Sequence, residues 1–422
     1  MRLFFRLFWL GLIWGITSIG WLTLGGVMGE RTYAQERALD GKVADLWGAA
    51  QQQQAPGMVF EWTVDRQVIE KVKDTETGQV VEKQKTVTDT YTESVHLASS
   101  DIDVQIDLDQ RRKGLLWFPL YDVSFQAAYT YTHRQPQSGE LMIAFPFPNT
   151  SGLYDDFRFA IDGAVDPNLQ PQGGQVVGVV PVAPGQEVTV SVGYRSRGMG
   201  EWSYVPLDGV AALNQFSLTM DTDFEDIDFP AYALSPSGKE RQGEGWRLSW
   251  DFDRVITGHS IGMVMPERVQ PGPLAEYMAF SAPISLGFFF LILFVLSVLR
   301  QIDLHPINYM MVAGAFFAFH LLFGYSADHL PVEAAFALAS VASVVLVVSY
   351  LRLVVSDRFA FGPVAAAQLI YLVGFSLAHF WEGYTGLTVT ILSVLTLFVL
   401  MQLTGHVNWE DEFRKARHQI KS

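Results

Sequence analysis

Cysteine is absent from the 422 residues, so disulfides, thiolate catalysis and cysteine-ligated zinc or iron–sulfur centres are excluded. Charge is scarce, with Asp, Glu, Lys and Arg making up 17% of the chain. Positive charge is scarcer still. The balance of 29 Lys+Arg against 44 Asp+Glu, a net charge of -15, argues against nucleic acid as a partner. What is plentiful is apolar: 49% hydrophobic residues, 13% aromatic, and a mean hydropathy of +0.19. That is too apolar for one soluble domain, too long for one core and too aromatic for disorder. Residues 29–275 hold 20 Lys+Arg and 35 Asp+Glu, hence the entire net charge. An acidic, water-facing block therefore lies between apolar regions.

Leu7 to Met28 is a run of 22 residues without charge. As a helix it would measure about 33 Å, enough to cross a hydrocarbon layer of roughly 30 Å. The run is longer than the core of a cleaved signal peptide, and the residues after it make a poor cleavage site, so a retained anchor is expected. Gly11 and Gly15 form a small-xxx-small pair that could pack against another helix, although glycine is also simply common in membrane spans. Five further spans are expected at Tyr277–Leu299, Ile307–Tyr325, Ala334–Val355, Phe359–Trp381 and Gly383–Gly405. With the N-terminus in the cytoplasm, the inside segments carry Arg2, Arg6, Arg300, Arg352, Arg358, Arg414, Lys415, Arg417 and Lys421. The two short outside loops, around Asp328 and Glu382, carry no Lys or Arg. This positive-inside pattern places both termini in the cytoplasm and residues 29–275 in the periplasm or outside the cell.

Between the first two spans the pattern has period two. Met58, Phe60, Trp62 and Val64 alternate with polar neighbours, as do Ile102, Val104, Ile106 and Leu108. Val188, Val190 and Val192, then Phe216, Leu218 and Met220, then Trp246, Leu248, Trp250 and Phe252 repeat the rule. One buried and one wet face is the signature of antiparallel sheet. Glu30–Ala50 reads as a short helix leaving the membrane, Gln51–Gly57 as a linker, Asp74–Gly78 as the turn of a charged hairpin, and Pro266–Pro273 as a stiff extended connector. The expected fold class is thus membrane α+β: six transmembrane helices, one N-terminal and five in a C-terminal bundle, with an extracytoplasmic all-β sandwich-like domain. The boundaries are an anchor at 1–28, a polar linker at 29–57, the β domain at 58–272, the bundle at 273–406 and a cytoplasmic tail at 407–422. That tail, with Arg414-Lys415-Ala416-Arg417 at its basic end, suits anionic lipid headgroups.

Three groups of residues carry possible chemistry. Gly258-His259-Ser260-Ile261-Gly262 matches the G-x-S-x-G pattern, which in a serine hydrolase needs a strand-to-helix turn at the serine. Here Pro266, Pro271 and Pro273 block a following helix, so a turn and a strand are the better expectation for Ser260. Asp221, Asp223, Glu225, Asp226 and Asp228 offer oxygen ligands but lack the glycine and terminal glutamate of a helix–loop–helix calcium site, and a strand's wet face explains them more simply. Asp328, His329, His379 and Glu382 are expected to meet near the outer membrane face, with His320 deeper. Histidine and carboxylate suit zinc, so a metal or proton site is one reading. Helix capping and interfacial snorkelling are the other. No cofactor is implied, and catalysis is not the leading reading.

Several ordered motifs then resemble the CreD inner-membrane protein family. His305-Pro306-Ile307-Asn308-Tyr309 before a span is similar to its His-Pro-Ile-Gln/Asn-Tyr signature. Ser326-Ala327-Asp328-His329 resembles its Ser-Glu-His loop, and Glu382-Gly383-Tyr384 its entry to the last span. Thr404 to Trp409 resembles its exit from that span, and Arg112-Lys113-Gly114 with Pro119-Leu120-Tyr121 one of its outer strands. Gly383 and Gly405-His406 depart from the pattern, as in a divergent member. The resemblance implies a multi-pass inner-membrane protein linked to envelope integrity and envelope stress. Its partners would be the lipid bilayer and an unknown envelope component met through the outer β domain. The family supplies no catalytic residues.

Overall fold

The computed structural model describes residues 2–73, 80–113, 116–165, 170–206, 211–381 and 383–405. The expected turn at Asp74–Gly78, Glu382, Trp409 and the tail at 407–422 lie outside these residues. The chain divides into two compact units. One comprises Met1–Leu39, Lys113–Leu116 and Val269–Ser422; the other comprises Asp40–Arg112 and Trp117–Arg268.

Six helices in the first set of segments are long and apolar enough to cross a membrane. The first runs from Arg2 to Trp47 without a break, longer than the expected anchor and absorbing the expected juxtamembrane helix. It ends at Gly48, whose φ of +97° and bond to the Ala44 carbonyl (2.9 Å) make a left-handed stop that a side chain resists. The second span is Pro271–Leu299, with Pro271 in its first turn. Its start corrects the expected extended connector, because proline's missing N–H costs nothing at the first helical position. The third, fourth and sixth spans are Pro306–Ser326, Val332–Val354 and Thr385–Thr404.

The fifth span, Asp357–Phe380, is irregular. Two wider π turns, Ala360–Val364 and Leu369–Gly374, interrupt its α geometry. Pro363 lies in the first, where a missing donor and the ring's clash with the preceding turn disfavour a regular helix.

Helix–helix packing uses aromatic edges and small residues. Phe319 meets Phe336 edge-on at 5.7 Å, and Phe336 meets Phe380 at 5.1 Å. A Cβ at Gly25 would lie 2.9 Å from the Phe280 ring, and one at Gly29 would lie 2.6 Å from the Glu276 carboxyl. These glycines admit the second span. Gly11 and Gly15, the pair marked by the sequence, have nothing within 4 Å of such an atom.

The other unit is built from sheet. In chain order its strands are β1 (Gln51–Gln54), β2 (Gly57–Lys73), β3 (Val80–Val95), β4 (Ser99–Lys113), β5 (Leu116–Thr132), β6 (Gly139–Pro146), β7 (Tyr154–Ile161) and β8 (Ala164–Val165). Then come β9 (Gln175–Val182), β10 (Glu187–Met199), β11 (Glu201–Val205), β12 (Ala211–Thr222), β13 (Gly238–Gln242), β14 (Gly245–Thr257) and β15 (Ile261–Val264). They form an eight-stranded sheet, β13-β14-β12-β4-β5-β10-β7-β8, a four-stranded sheet, β3-β2-β6-β9, and a three-stranded sheet, β1-β11-β15. Pairing is mostly antiparallel, but β1 with β11 and β4 with β12 run parallel, which alternation alone does not reveal.

One apolar core joins the three sheets. Ile102, Val104 and Ile106, then Val188, Val190 and Val192, point inward as their period requires. Phe125 lies 6.4 Å from Phe145 on the four-stranded sheet and 6.4 Å from Trp202 on the three-stranded one. Val64 escapes the rule. β2 pairs with β6 only over Gly57–Glu61, and beyond that it forms a two-stranded ribbon with β3, exposed on both faces. Cross-strand ion pairs line that ribbon, Arg66–Asp89 at 3.3 Å and Lys85–Glu70 at 3.5 Å.

Gln51–Gln54 is a strand, not a linker. Gln51 Nε2 donates to Ser196 Oγ (2.8 Å) and the Arg197 carbonyl (2.7 Å). Tyr194 donates to Gln53 Oε1 at 2.8 Å. Gln53 is thus bonded through both ends of its amide, its Nε2 donating to the Pro146 carbonyl at 3.0 Å, and Gln51 through its Nε2 alone.

Candidate functional site: polar groups inside the helical bundle

The helical unit has few polar side chains, so each one matters. Towards the end of the bundle where the first helix leaves its apolar run, three contacts join different helices. Arg31, in the first helix, forms an ion pair and hydrogen bond with Asp328, in the turn after the third span. Its guanidinium also lies 5.6 Å from the centre of the Tyr325 ring. One helical stretch earlier, Trp21 is fully buried and its indole nitrogen lies 3.2 Å from His320 Nδ1. The same Nδ1 lies 3.0 Å from the Phe316 carbonyl, so it accepts from the indole in one tautomer and donates to that carbonyl in the other. The third contact is His379 Nε2 with Ser281 Oγ at 2.9 Å, joining the fifth and second spans. The Ser281 hydroxyl donates to the Met278 carbonyl at 3.0 Å, and so accepts from the imidazole.

Deeper in the unit, Gln368 Nε2 donates to Ser343 Oγ (3.0 Å), which donates to the Ala315 carbonyl (2.8 Å). The Tyr371 and Thr396 hydroxyls are 2.8 Å apart, and Ser285 donates to the Tyr371 carbonyl. Tyr371 lies in the second π turn, whose wider geometry leaves carbonyls open to such side-chain donors.

At the opposite end Arg6 reaches Ser297 Oγ (3.5 Å), the Ile302 carbonyl (3.4 Å) and Asp303 (3.5 Å). The motif His305-Pro306-Ile307-Asn308-Tyr309 lies beside this group. His305 accepts from the Ile307 N–H as an N-cap, and Pro306 opens the helix. The Tyr350 hydroxyl donates to Asn308 Oδ1 at 2.9 Å. Tyr309 is buried, its ring edge-on to Phe290 at 5.4 Å. The motif thus starts the third span and fastens it to its neighbours.

Of the four residues expected to converge, the three described ones have separate partners or none in common. Asp328 is taken by Arg31, and His379 by Ser281. His329 is exposed, its backbone N–H closing a turn on the Ser326 carbonyl (2.9 Å). Among the described residues no group of three or more histidine and acidic side chains that could hold a metal comes together. Tyr384 is exposed just before the sixth span. Arg31, Trp21 and Ser281 were missed by sequence reasoning. Only Arg31 carried a signal, as the first cation after an uncharged run.

The remaining motifs resolve into ordinary structure. Ser260 precedes the short strand β15, not a helix, and its carbonyl accepts from the Leu234 N–H (2.8 Å). A strand-to-helix nucleophile turn is therefore absent there. In the acidic run, Asp221 grips Arg247 with two bonds of 2.8 and 2.7 Å, and Glu225 takes Arg241 at 2.7 Å. That hydrogen bond, with the arginine's charge, holds the Glu225 carboxyl below its ordinary range. Asp223 accepts from the Leu108 N–H at 2.8 Å.

Residues 281–410 match the family model described as "Inner membrane protein CreD". The helical region from within the second span onward is thus similar to that of CreD-family proteins. The matched stretch runs from within the second span through the sixth. It contains the N-cap motif, the Asp328 turn and His379 described above. That match, with six helices long and apolar enough to cross a membrane and the β-rich unit, fits a multi-pass inner-membrane protein of mixed α and β structure. None of the curated proteins matches the chain. One solved structure, from Legionella pneumophila and described as a proposed nutrient binding protein, aligns with 58% of this chain and 93% of its own. Identity there is 11% and the TM-score 0.32, an overlap too loose to carry fold or ligand.

Proposed function

We propose that this CreD-family protein is a non-enzymatic inner-membrane component that maintains or senses the state of the bacterial envelope. Its termini lie in the cytoplasm and residues 29–275 in the periplasm. The β unit meets an envelope component, and the helical bundle anchors it and relays its state. The observation that carries this reading is how the bundle uses its scarce polar groups. Arg31, Asp328, Trp21, His320, His379 and Ser281 are occupied in joining one helix to another. Such bonds fix helix positions within lipid, where apolar contact alone discriminates poorly between arrangements. The positive-inside distribution of Arg and Lys supports the orientation.

The test is complementation. A strain lacking the protein is supplied with the wild type, Asp328→Asn, or His379→Ala combined with His329→Ala. Survival is scored under detergent and hypo-osmotic stress, and metal is measured in the purified proteins. The proposal expects wild type to restore survival, Asp328→Asn to restore it poorly, and no variant to lose stoichiometric metal. Loss of bound metal together with function in the double histidine variant would replace it with a metal-dependent enzyme or transporter.

A further inference from the structure

The eight-stranded sheet carries a trough on its solvent face, over β4, β5, β10 and β7, with a volume of about 520 Å³. That lies within the size range of small-ligand sites. Its floor is made of small or short side chains. Gly193 on β10 stands opposite Gln126 on β5 and Arg158 on β7, and Ser191 stands opposite Ala128 and Ala160. A bulge between Gly193 and Arg195 bends β10 under it. A Cβ at Gly193 would lie 3.6 Å from the Phe125 carbonyl oxygen and 3.9 Å from Gln126 Cγ, which is ordinary contact. Packing below the sheet therefore does not require glycine here. The glycine keeps the floor low.

The two walls differ in charge. On β4, Asp101 and Asp103 face the trough two residues apart, so on the same side of the strand. Partial burial, with the Asp101 and Asp221 carboxylates, pushes the Asp103 carboxyl above its ordinary range, although Arg247 opposes this. Negative charge is thus under-compensated on that wall. On the opposite side β7 brings Arg158 and Asp156 to the trough; Asp156 pairs with Arg195 of β10 at 2.5 Å, so the net charge of that side is the positive charge of Arg158. From β4 to β7 is three strand-to-strand steps of about 4.8 Å, roughly 14 Å in all. A single amino acid cannot bridge that distance between its own charges. An extended chain of about four residues can, at ~3.4 Å per residue.

The geometry points to this trough as a binding site for a short zwitterionic peptide lying across the strands. Its free amino group sits at Asp101 and Asp103, its backbone over Gly193, and its free carboxylate at Arg158. Gln126 and Ser191 offer donors and acceptors to the peptide groups between. The site goes beyond the envelope reading and does not depend on it. Peptide binding by purified protein is indifferent to the side of the membrane on which the β unit lies.

Calorimetric titration of the full chain in detergent, at low ionic strength, tests it with tetra-alanine as the probe. N-acetyl-tetra-alanine, tetra-alanine amide and dialanine are the comparators. Tetra-alanine should bind, with each blocked terminus weakening it about tenfold, as the loss of one charge-assisted contact implies. Dialanine should bind more weakly still. The paired Asp101→Asn and Asp103→Asn change should remove the effect of acetylation and leave that of amidation, while Arg158→Gln should do the reverse. Gly193→Leu should abolish binding and leave the thermal transition in place. No heat of binding at millimolar tetra-alanine overturns the proposal. So does binding indifferent to both termini, or binding that survives Gly193→Leu. Each of these outcomes leaves the proposed topology standing.

Discussion

Replacing Asp328 by asparagine tests the most consequential contact of the helical unit. The side chains of Arg31 and Asp328 retain 31% and 15% of their exposure, so the pair is neither at the surface nor fully enclosed. Exposed pairs contribute about 0.2–1 kcal/mol. Breaking a fully buried one costs roughly 3–5 kcal/mol, because the other charge is left without its partner. The geometry lies between these limits, and a loss of about 2 kcal/mol follows, roughly a thirtyfold shift in the unfolding equilibrium. Titration with a denaturing detergent in mixed micelles, followed by circular dichroism, measures it.

Arg31→Gln completes a double-mutant cycle and removes the contribution of the guanidinium over Tyr325. The pair should retain a coupling of about 1 kcal/mol or more, and should keep most of it at high salt, since partly enclosed pairs are weakly screened. If the two losses simply add, to within about 0.3 kcal/mol, the contact does not hold the first helix to the third span and the reasoning fails.

Asp103→Asn should stabilise the protein at pH 7, because a carboxyl raised in the folded state by burial and by Asp101 and Asp221 disfavours folding once ionised. The gain should fade as pH falls through the ordinary carboxylate range, and thermal melts at pH 7 and pH 3 check it. Phe125→Ala removes a fully buried ring stacked on Tyr194 at 5.1 Å, and should cost about 3–5 kcal/mol in chemical denaturation. Gly48→Ala places a Cβ 2.3 Å from the Arg197 carbonyl oxygen at a φ of +97°, so its denaturation midpoint should fall well below that of an alanine at open Gly57.

The spans were legible because crossing lipid demands about twenty apolar residues in a row, a local property of the chain. The alternation of Ile102, Val104 and Ile106 was legible for the same reason. Gln51 and Gln53 were not. They are buried only because Ser196, the Arg197 carbonyl and Tyr194 supply partners from about 140 residues away in the chain. Pro271 misled in another way, since proline suits both an extended connector and the first turn of a helix. The parallel pairing of β4 with β12 likewise depends on partners that alternation does not specify. In the candidate site, composition singled out Asp328, His329 and His379. It could not assign Asp328 to Arg31 or His379 to Ser281, because each bond joins helices distant in sequence.

The absence of native cysteine makes orientation directly measurable. Thr150, exposed in the β unit, and Gln301, exposed between the second and third spans, are each replaced by cysteine as the sole thiol. Spheroplasts are then treated with a membrane-impermeant maleimide. The account predicts that Thr150→Cys is labelled on intact spheroplasts and Gln301→Cys only after permeabilisation. Labelling of Gln301→Cys on intact spheroplasts, with Thr150→Cys protected, would contradict it.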